Sequence, residues 1–548
     1  LIPQTELNVR EKQVSQGWNL TSDKYVKTTS NIAKSAGSVS IAVFCSRILG
    51  LIREQVFAAL FGAGLEMDAF VVAFRIPNLL RDLFAEGALS AAFVSVFTHY
   101  QNTESPEKTW KLVNNVISSL SIVILVMTLL GFIFSNDLVN LIAPHFAVIQ
   151  GKTELTTTLT QIMLPFLLFV SLASIFQGLL NTKRYFFIPA FSSSMFNMGS
   201  ILVGGGLALA LPFFGYPAIV GMAIGTLAGG LFQLLAQMPL AIKTGYKFDL
   251  YFNFKDPALK KIFFLIIPSI IGLSATQITI FINTNFASSC GEGAVAWLNY
   301  AFRLIQFPIG MFGVAISIAT LPVISGFASK KDMNGLKDSL ESALSLAFLL
   351  TFPATVGLFI LSEPIIRIIY EYGRFSQFDT AMTARLLELY SLGLVAYCGV
   401  KILVPVYYAL DDTKWPVIGS FAGVTLNIIV ILFAIEYYSQ NAIALATSSA
   451  MLFNFIFLFF ILIKKIGTLN IKRILASVSK TVLSSVFMGI LCYFLHFKFL
   501  TFAGRFGLIV SLMLTIGFSG IFYIFMCYIT GQNEIKMLIG KIKRRFGR

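Results

Sequence analysis

The chain has 548 residues, 56% of them hydrophobic and 12% charged, with a mean hydropathy of +0.80. A water-facing globule has no room to bury that much apolar surface, so lipid is the expected solvent for most of the chain and a soluble domain of any size is excluded. The net charge of +15 then reads as attraction to anionic headgroups and not as a nucleic-acid surface, even at the basic run Lys541-Ile542-Lys543-Arg544-Arg545.

The first thirty or so residues are polar and mixed in charge, with no apolar core ahead of a cleavage site; they read as a loose tail and not as a signal peptide. Beyond them, apolar runs long enough to cross about 30 Å of hydrocarbon predict helices at about 32–62, 66–100, 112–135, 155–181, 188–211, 217–242, 258–287, 294–327, 338–362, 380–410, 414–436, 441–463, 474–495 and 506–530. The expected fold is thus an all-α polytopic membrane protein of about fourteen transmembrane helices.

Lysine and arginine alternate with these runs. Every second loop, with both tails, collects them, as in Lys243/Lys247/Lys255/Lys260/Lys261 and Lys464/Lys465/Lys472/Arg473, whereas the intervening loops hold Lys152, Arg367, Arg374, Lys498 and Arg505. Because cytoplasmic loops carry the basic excess, both termini are expected in the cytoplasm.

A shift of 228 residues lays Ala73-Phe74-Arg75 on Ala301-Phe302-Arg303, each behind a short glycine-bearing loop (Gly62-Ala63-Gly64 and Gly291-Glu292-Gly293). Six helices separate the copies, so the halves run in the same sense. The expected division is a 1–31 cytoplasmic tail, an N-lobe at 32–242, a C-lobe at 258–463, two appended helices at 474–530 and a basic tail at 531–548. Two such lobes are expected to hold a substrate cavity near the bilayer midplane and to expose it by rocking.

Cys45, Cys290, Cys398, Cys492 and Cys527 stand singly, as do His99, His145 and His496. Neither a metal site nor a disulfide framework is suggested, no cofactor motif is present, and the absence of any P-loop, GxSxG or HExxH pattern leaves no case for an enzyme.

Charges inside helices are the informative residues. Arg47, Arg53, Arg75, Arg81, Arg303 and Lys401 fall within predicted spans, where a charge costs at least roughly 2.5–3.5 kcal/mol and is kept for a cavity or a partner. Glu54, Asp68, Asp82 and Glu86 share the first two helices, and Arg47/Glu54 and Asp68/Arg75 are seven apart, so a self-neutralising ion-pair network is one reading. Arg303 has no acid within its own helix or the preceding one, and therefore needs a counter-anion from elsewhere. The second reading is a wet cavity for an anion with several oxygens, since the guanidinium fork pairs two phosphate or carboxylate oxygens at once. A phosphate or diphosphate lipid headgroup fits. Pro77 and Pro308, just past Arg75 and Arg303, are expected to bend their helices.

The run Ser46-Arg47-Ile48-Leu49-Gly50-Leu51-Ile52-Arg53-Glu54, Phe61-Gly62-Ala63-Gly64, Asp68-Ala69-Phe70, Phe74-Arg75-Ile76-Pro77-Asn78-Leu79-Leu80-Arg81 and Phe84-Ala85-Glu86-Gly87-Ala88 resembles the N-terminal signature of the MurJ (MviN) lipid II flippase family. Asn299-Tyr300-Ala301-Phe302-Arg303, Gln306-Phe307-Pro308, Leu321-Pro322 and Tyr408-Ala409-Leu410-Asp411-Asp412-Thr413 extend the likeness into the second half. The resemblance implies a transporter of the multidrug/oligosaccharidyl-lipid/polysaccharide exporter superfamily in the bacterial inner membrane. Its implied substrate is lipid II, an undecaprenyl-diphosphate-linked disaccharide-pentapeptide, with cell-wall synthesis and division proteins as candidate partners. Carried over by position, Arg47, Arg53, Arg81 and Arg303, with the acids Asp68 and Glu86, are the expected substrate-binding residues. Arg75 joins them as the repeat partner of Arg303. The last two helices would form a groove for the lipid tail. Glu54 stands where Asp is commoner, Arg75 where Lys is frequent, and Asn283 where some members carry an acid. A flippase for another lipid-linked glycan and a non-transporting scaffold for envelope synthesis remain the alternative readings of the charges alone.

Overall fold

The computed structural model describes residues 39–84, 88–467, 469–499, 502, 504–532 and 534–536. The expected tail at 1–31 and most of the basic tail at 531–548 lie outside these. Among the described residues the regular structure is helical. In chain order it comprises α1 (39–61), α2 (Leu65–Phe84), α3 (Ala88–Thr103), α4 (Pro106–Ile133), α5 (Ser135–Ile142), α6 (Lys152–Met163), α7 (Phe166–Thr182), α8 (Phe187–Gly199), α9 (Gly205–Ala210), α10 (Ala218–Leu235) and α11 (Met238–Lys243). There follow α12 (Pro257–Ser288), α13 (Ala294–Pro308), α14 (Ala315–Ser329), α15 (Met333–Ile360), α16 (Ser362–Tyr370), α17 (Gln377–Ser391), α18 (Leu394–Ala409), α19 (Lys414–Tyr438), α20 (Gln440–Ile466), α21 (Ile471–Phe494) and α22 (Gly504–Ile529).

Among the described residues ten helical stretches are long and apolar enough to cross a membrane, rising to twelve when two bent pairs each count as one span. Those twelve answer the expected helices from 112–135 to 506–530. The first two expected helices fall outside the count for a physical reason: α1 carries Arg47, Arg53 and Glu54, and α2 carries Glu66, Asp68, Arg75, Arg81 and Asp82. The expected helix at 66–100 is also two elements, α2 and α3, with residues 85–87 between them outside the described set.

Among the described residues three spans contain a wide π-turn; one, Leu495–Phe499, ends α21, and the other two lie between helices. Ser200–Gly204 joins α8 to α9, and Ile309–Val314 joins α13 to α14. The second begins directly after Pro308, whose missing N–H removes one α-type bond and favours a looser turn. Short helices in the loops escaped the apolar-run criterion because they are amphipathic and far below spanning length. In α5, Ser135, Val139 and Ile142 are turned inward, and α16 buries Ser362, Pro364, Ile366 and Tyr370.

The helices fall into two compact units. One gathers the described residues up to Arg53 with Leu80–Leu130 and Ile162–Ile267; the other gathers Glu54–Leu79, Gly131–Gln161 and the chain from Pro268 onward. Within the first unit, α10 lies almost backbone to backbone on the α8–α9 span. A side chain at Gly225 would run into the Gly204 Cα, so glycine sets the distance of approach. Within the second, Leu340, Leu344, Leu403, Val406, Leu458 and Leu462 form the centre of an apolar core. The pair α21–α22 docks on α15 through Met488, Tyr523 and Cys527, and the Tyr523 hydroxyl donates to the Leu349 carbonyl at 2.7 Å.

Candidate functional site

The two helices that carry the repeat, α2 and α13, begin side by side within the second unit. Each start is closed by an acid from the other repeat. The Asp68 carboxylate accepts from the backbone N–H of Gly293 at 2.7 Å and of Ala296 at 2.8 Å, while the Glu292 carboxylate accepts from Leu65 N–H at 2.8 Å. The first N–H groups of any helix lack an internal partner and favour negative charge, so each carboxylate supplies what the other helix lacks. Asp68 and Ala296 are 228 apart, the same shift that relates the sequence repeat. Gly293 makes the approach possible: its φ is +89°, and a Cβ there would collide with the Ala63 carbonyl.

Asp68 also binds Lys152. The Nζ–Oδ2 distance is 2.8 Å, the two side chains are 1% and 0% exposed, and the ammonium lies 4.1 Å from the Phe146 ring centroid. Asp68 is therefore saturated by three donors, and its acid group is not offered to a ligand in this state. The sevenfold spacing to Arg75 suggested a pairing that the fold does not make. Lys152, read from sequence as a loop lysine, is the partner instead.

The same end of the unit is closed further by the segment after α16. Arg374 donates its backbone N–H to the Ala59 carbonyl at 2.9 Å and its guanidinium to Glu66 at 3.0 Å. The Tyr300 hydroxyl donates to the Gly62 carbonyl at 3.1 Å, and Trp297 Nε1 to Asp379 at 2.8 Å. Gly373, at a φ of +58°, sits where any Cβ would strike the Ala59 carbonyl.

A second charged group in this unit is built differently. Arg303 finds its counter-anion in Glu54 of α1, as the absence of a local acid required, but the Nε–Oε1 distance is 3.5 Å and the arginine side chain stays 40% exposed against 7% for the glutamate. Arg75, the repeat partner of Arg303, is half-buried within electrostatic reach of it and of Tyr390. Its Nε is buried without a hydrogen-bond partner among the described residues. Around them stand aromatics: the buried Tyr300 and Tyr370 pack at a tilt with centroids 4.8 Å apart, and the half-buried Phe302 packs edge-on against Tyr390 at 5.4 Å. Like charges within electrostatic reach repel each other, and a shared anion would offset that repulsion. One loose ion pair and an unused donor are what an anion with several oxygens would complete.

The remaining expected residues lie in the first unit. Arg53 is 8% exposed, with its guanidinium 5.3 Å from the Phe196 ring centroid. Arg47, one position along α1 from Ser46, whose carbonyl accepts from Asn197 at 3.1 Å, has its own side chain exposed. Arg81 forms a 2.9 Å ion pair with Asp82, each about a quarter exposed. Glu86 lies outside the described residues. Sequence reasoning missed Lys152, Glu292, Tyr370 and Arg374 as contributors; a carboxylate closing a helix more than two hundred residues away leaves no local pattern to find.

This bundle has the architecture of multi-pass transporters. An inward-facing multidrug-resistance transporter of the MATE family and MOP superfamily superposes with a TM-score of 0.66 over 77% of this chain and 95% of that one, and at 16% identity the likeness is one of fold. A structure of the lipid II flippase MurJ in an inward closed conformation superposes with a TM-score of 0.75 at 30% identity, covering 89% of this chain and 98% of that one. The sequence pattern of the family described as "Lipid II flippase MurJ" matches residues 57–514. The probable lipid II flippase MurJ of Buchnera aphidicola (subspecies Acyrthosiphon pisum) is 35% identical over 91% of this chain and 98% of its own length. That of Vibrio cholerae is 34% identical over 79% and 83%, respectively. The chain belongs to the MurJ family and is a multi-pass membrane protein.

Proposed function

We propose that this chain moves lipid II, the undecaprenyl-diphosphate-linked peptidoglycan precursor, from the cytoplasmic to the outer leaflet of the bacterial inner membrane by alternating access. The observation that carries the residue assignment is Arg303, exposed and engaged by Glu54 only at 3.5 Å, together with its repeat partner Arg75, whose buried Nε has no hydrogen-bond partner among the described residues. The diphosphate draws Arg303 off Glu54 and engages Arg75, because a charge-assisted, forked contact to phosphate is stronger than a single 3.5 Å contact. Arg47, Arg53 and Arg81 complete headgroup recognition, while the prenyl chain remains in lipid along α21 and α22.

In this topology both termini are cytoplasmic, as the alternation of basic loops supports. The contacts that join residues 59–68 to 292–297 and 371–380 then form the closed outer gate, since they lie in the loops poor in lysine and arginine. Residues 32–242 and 258–463 act as the two repeat-related lobes. With the cell interior negative, outward movement of an anionic headgroup is favoured by about 2.3 kcal/mol per charge per 100 mV, so the membrane potential suffices as a driving force.

The test uses a strain in which this gene is the sole flippase. Alanine at Arg47, Arg53 or Arg303 should stop growth and trap labelled lipid II in the inner leaflet, with variant protein present at native levels in the membrane. Growth and leaflet distribution like those of the native chain, for each variant, would remove these roles.

A further inference from the structure

The residue Arg505, at the start of α22, belongs to none of the groups described above. Its guanidinium carbon lies over the Tyr372 ring, 3.1 Å from the centroid, and its Nη2 donates to the Glu371 carbonyl at 2.8 Å. That carbonyl follows the last residue of α16, where the helix dipole is negative and a cation is favoured. An exposed arginine at a membrane boundary ordinarily reaches for lipid phosphate. Here it is committed to protein.

What it holds is the segment that closes the gate. Glu371 accepts from Arg367 Nε at 3.3 Å and from the Thr380 hydroxyl at 2.7 Å, which pins both ends of the turn 371–380. Between them Arg374 reaches Ala59 and Glu66, Phe375 packs edge-on to Tyr300 at 5.5 Å, and Asp379 takes the Trp297 indole. One short turn thus touches the end of α1, the start of α2, the helix bearing Arg303, and α22. Opening the gate must withdraw this turn from Ala59 and Glu66.

We infer that Arg505 is a positioning residue for the outer gate, tying the turn 371–376 to the helix pair α21–α22 so that neither moves without the other. The inference rests on the flippase reading in one respect, that the gate opens during the cycle. Its consequence is that an apolar chain lying along α21–α22 biases the gate without touching it, because a shift of α22 is transmitted to Tyr372 and Glu371 through a cation–π contact and a hydrogen bond.

The test measures gate closure without substrate. In the full chain, with its five native cysteines replaced and reconstituted in lipid nanodiscs, Glu66→Cys and Arg374→Cys report the closed gate by the rate of oxidative cross-linking. Arg505→Gln should slow that rate at least threefold, Tyr372→Leu should do the same, and the two together should act no more strongly than either alone. Tyr372→Phe, which keeps the ring, should cross-link like the parent and guards against a simple folding defect. A parental rate in Arg505→Gln, or effects of Arg505→Gln and Tyr372→Leu that multiply, would overturn the inference. Lipid II plays no part in this measurement, so failure of the substrate assignment would leave the result standing, and the reverse.

Discussion

Two ion pairs in the same unit, Asp68–Lys152 and Glu54–Arg303, look alike in sequence, each an acid and a base within predicted membrane helices or beside them. In the fold they are opposites. The first is dry, short and saturated, with the carboxylate taking three donors at 2.7–2.8 Å. The second is long, at 3.5 Å, and leaves its arginine 40% exposed. A charge whose partners are complete stabilises the state it is found in, whereas a charge with loose partners is ready to exchange them. On the proposed function, what separates a gate contact from a binding group is hydrogen-bond completeness, not residue type.

The largest expected effect breaks the saturated pair. Asp68→Ala leaves the Lys152 ammonium buried and the Gly293 and Ala296 N–H groups without an acceptor, so thermal unfolding of the purified protein should report a loss of about 3–5 kcal/mol. Asp68→Asn keeps an acceptor oxygen and should lose less; equal losses would mean that the helix start contributes nothing. Next comes Arg303→Ala. Transport of labelled lipid II should fall roughly tenfold to a hundredfold, the equivalent of a charged hydrogen bond at 1.5–3 kcal/mol, while the unfolding temperature stays near that of the native protein. A variant that loses stability in step with transport would merge the two classes.

Gly293→Ala sharpens the comparison from the backbone side. It places a Cβ against the Ala63 carbonyl at a φ of +89°, and a destabilisation of about 1–3 kcal/mol is expected in the same unfolding assay. The smallest effect belongs to Asp412, whose carboxyl is held below the usual carboxylate range, chiefly by the hydrogen bond from Lys465. Its contribution is present above the ordinary aspartate value and is lost as pH falls through the depressed one. The lysine keeps 36% and the aspartate 13% of its side chain in contact with solvent, so Asp412→Asn should cost no more than about 1 kcal/mol, measured near neutral pH.

The spans were legible in the sequence because a lipid-crossing helix must be a run of about 20 apolar residues, and α4 through α22 largely obey that rule. So was the kinship of Arg75 and Arg303, which the 228-residue shift exposed and which the fold brings within reach of each other. Asp68 could not be told from Glu54, because burial and donor count depend on residues far away in the chain. Lys152 was hidden by its setting, a lysine in a loop being the ordinary case. The short helices α5 and α16 were hidden by size, and with α16 went the turn that carries Arg374 and Tyr372.

The wide turn Ile309–Val314 carries a consequence for register. It inserts one residue into an otherwise α-helical rod, and each residue of such a rod advances the face by about 100°. Deleting one residue from it would let the turn close as ordinary α-helix and leave Ile316 and Ile324 on the apolar core they now join, whereas a deletion between Ile316 and Ile324 would turn Ile324 and all that follows it by that angle. The wide turn is thus a slack point in the rod, where a change of length by one residue is absorbed without turning the faces on either side.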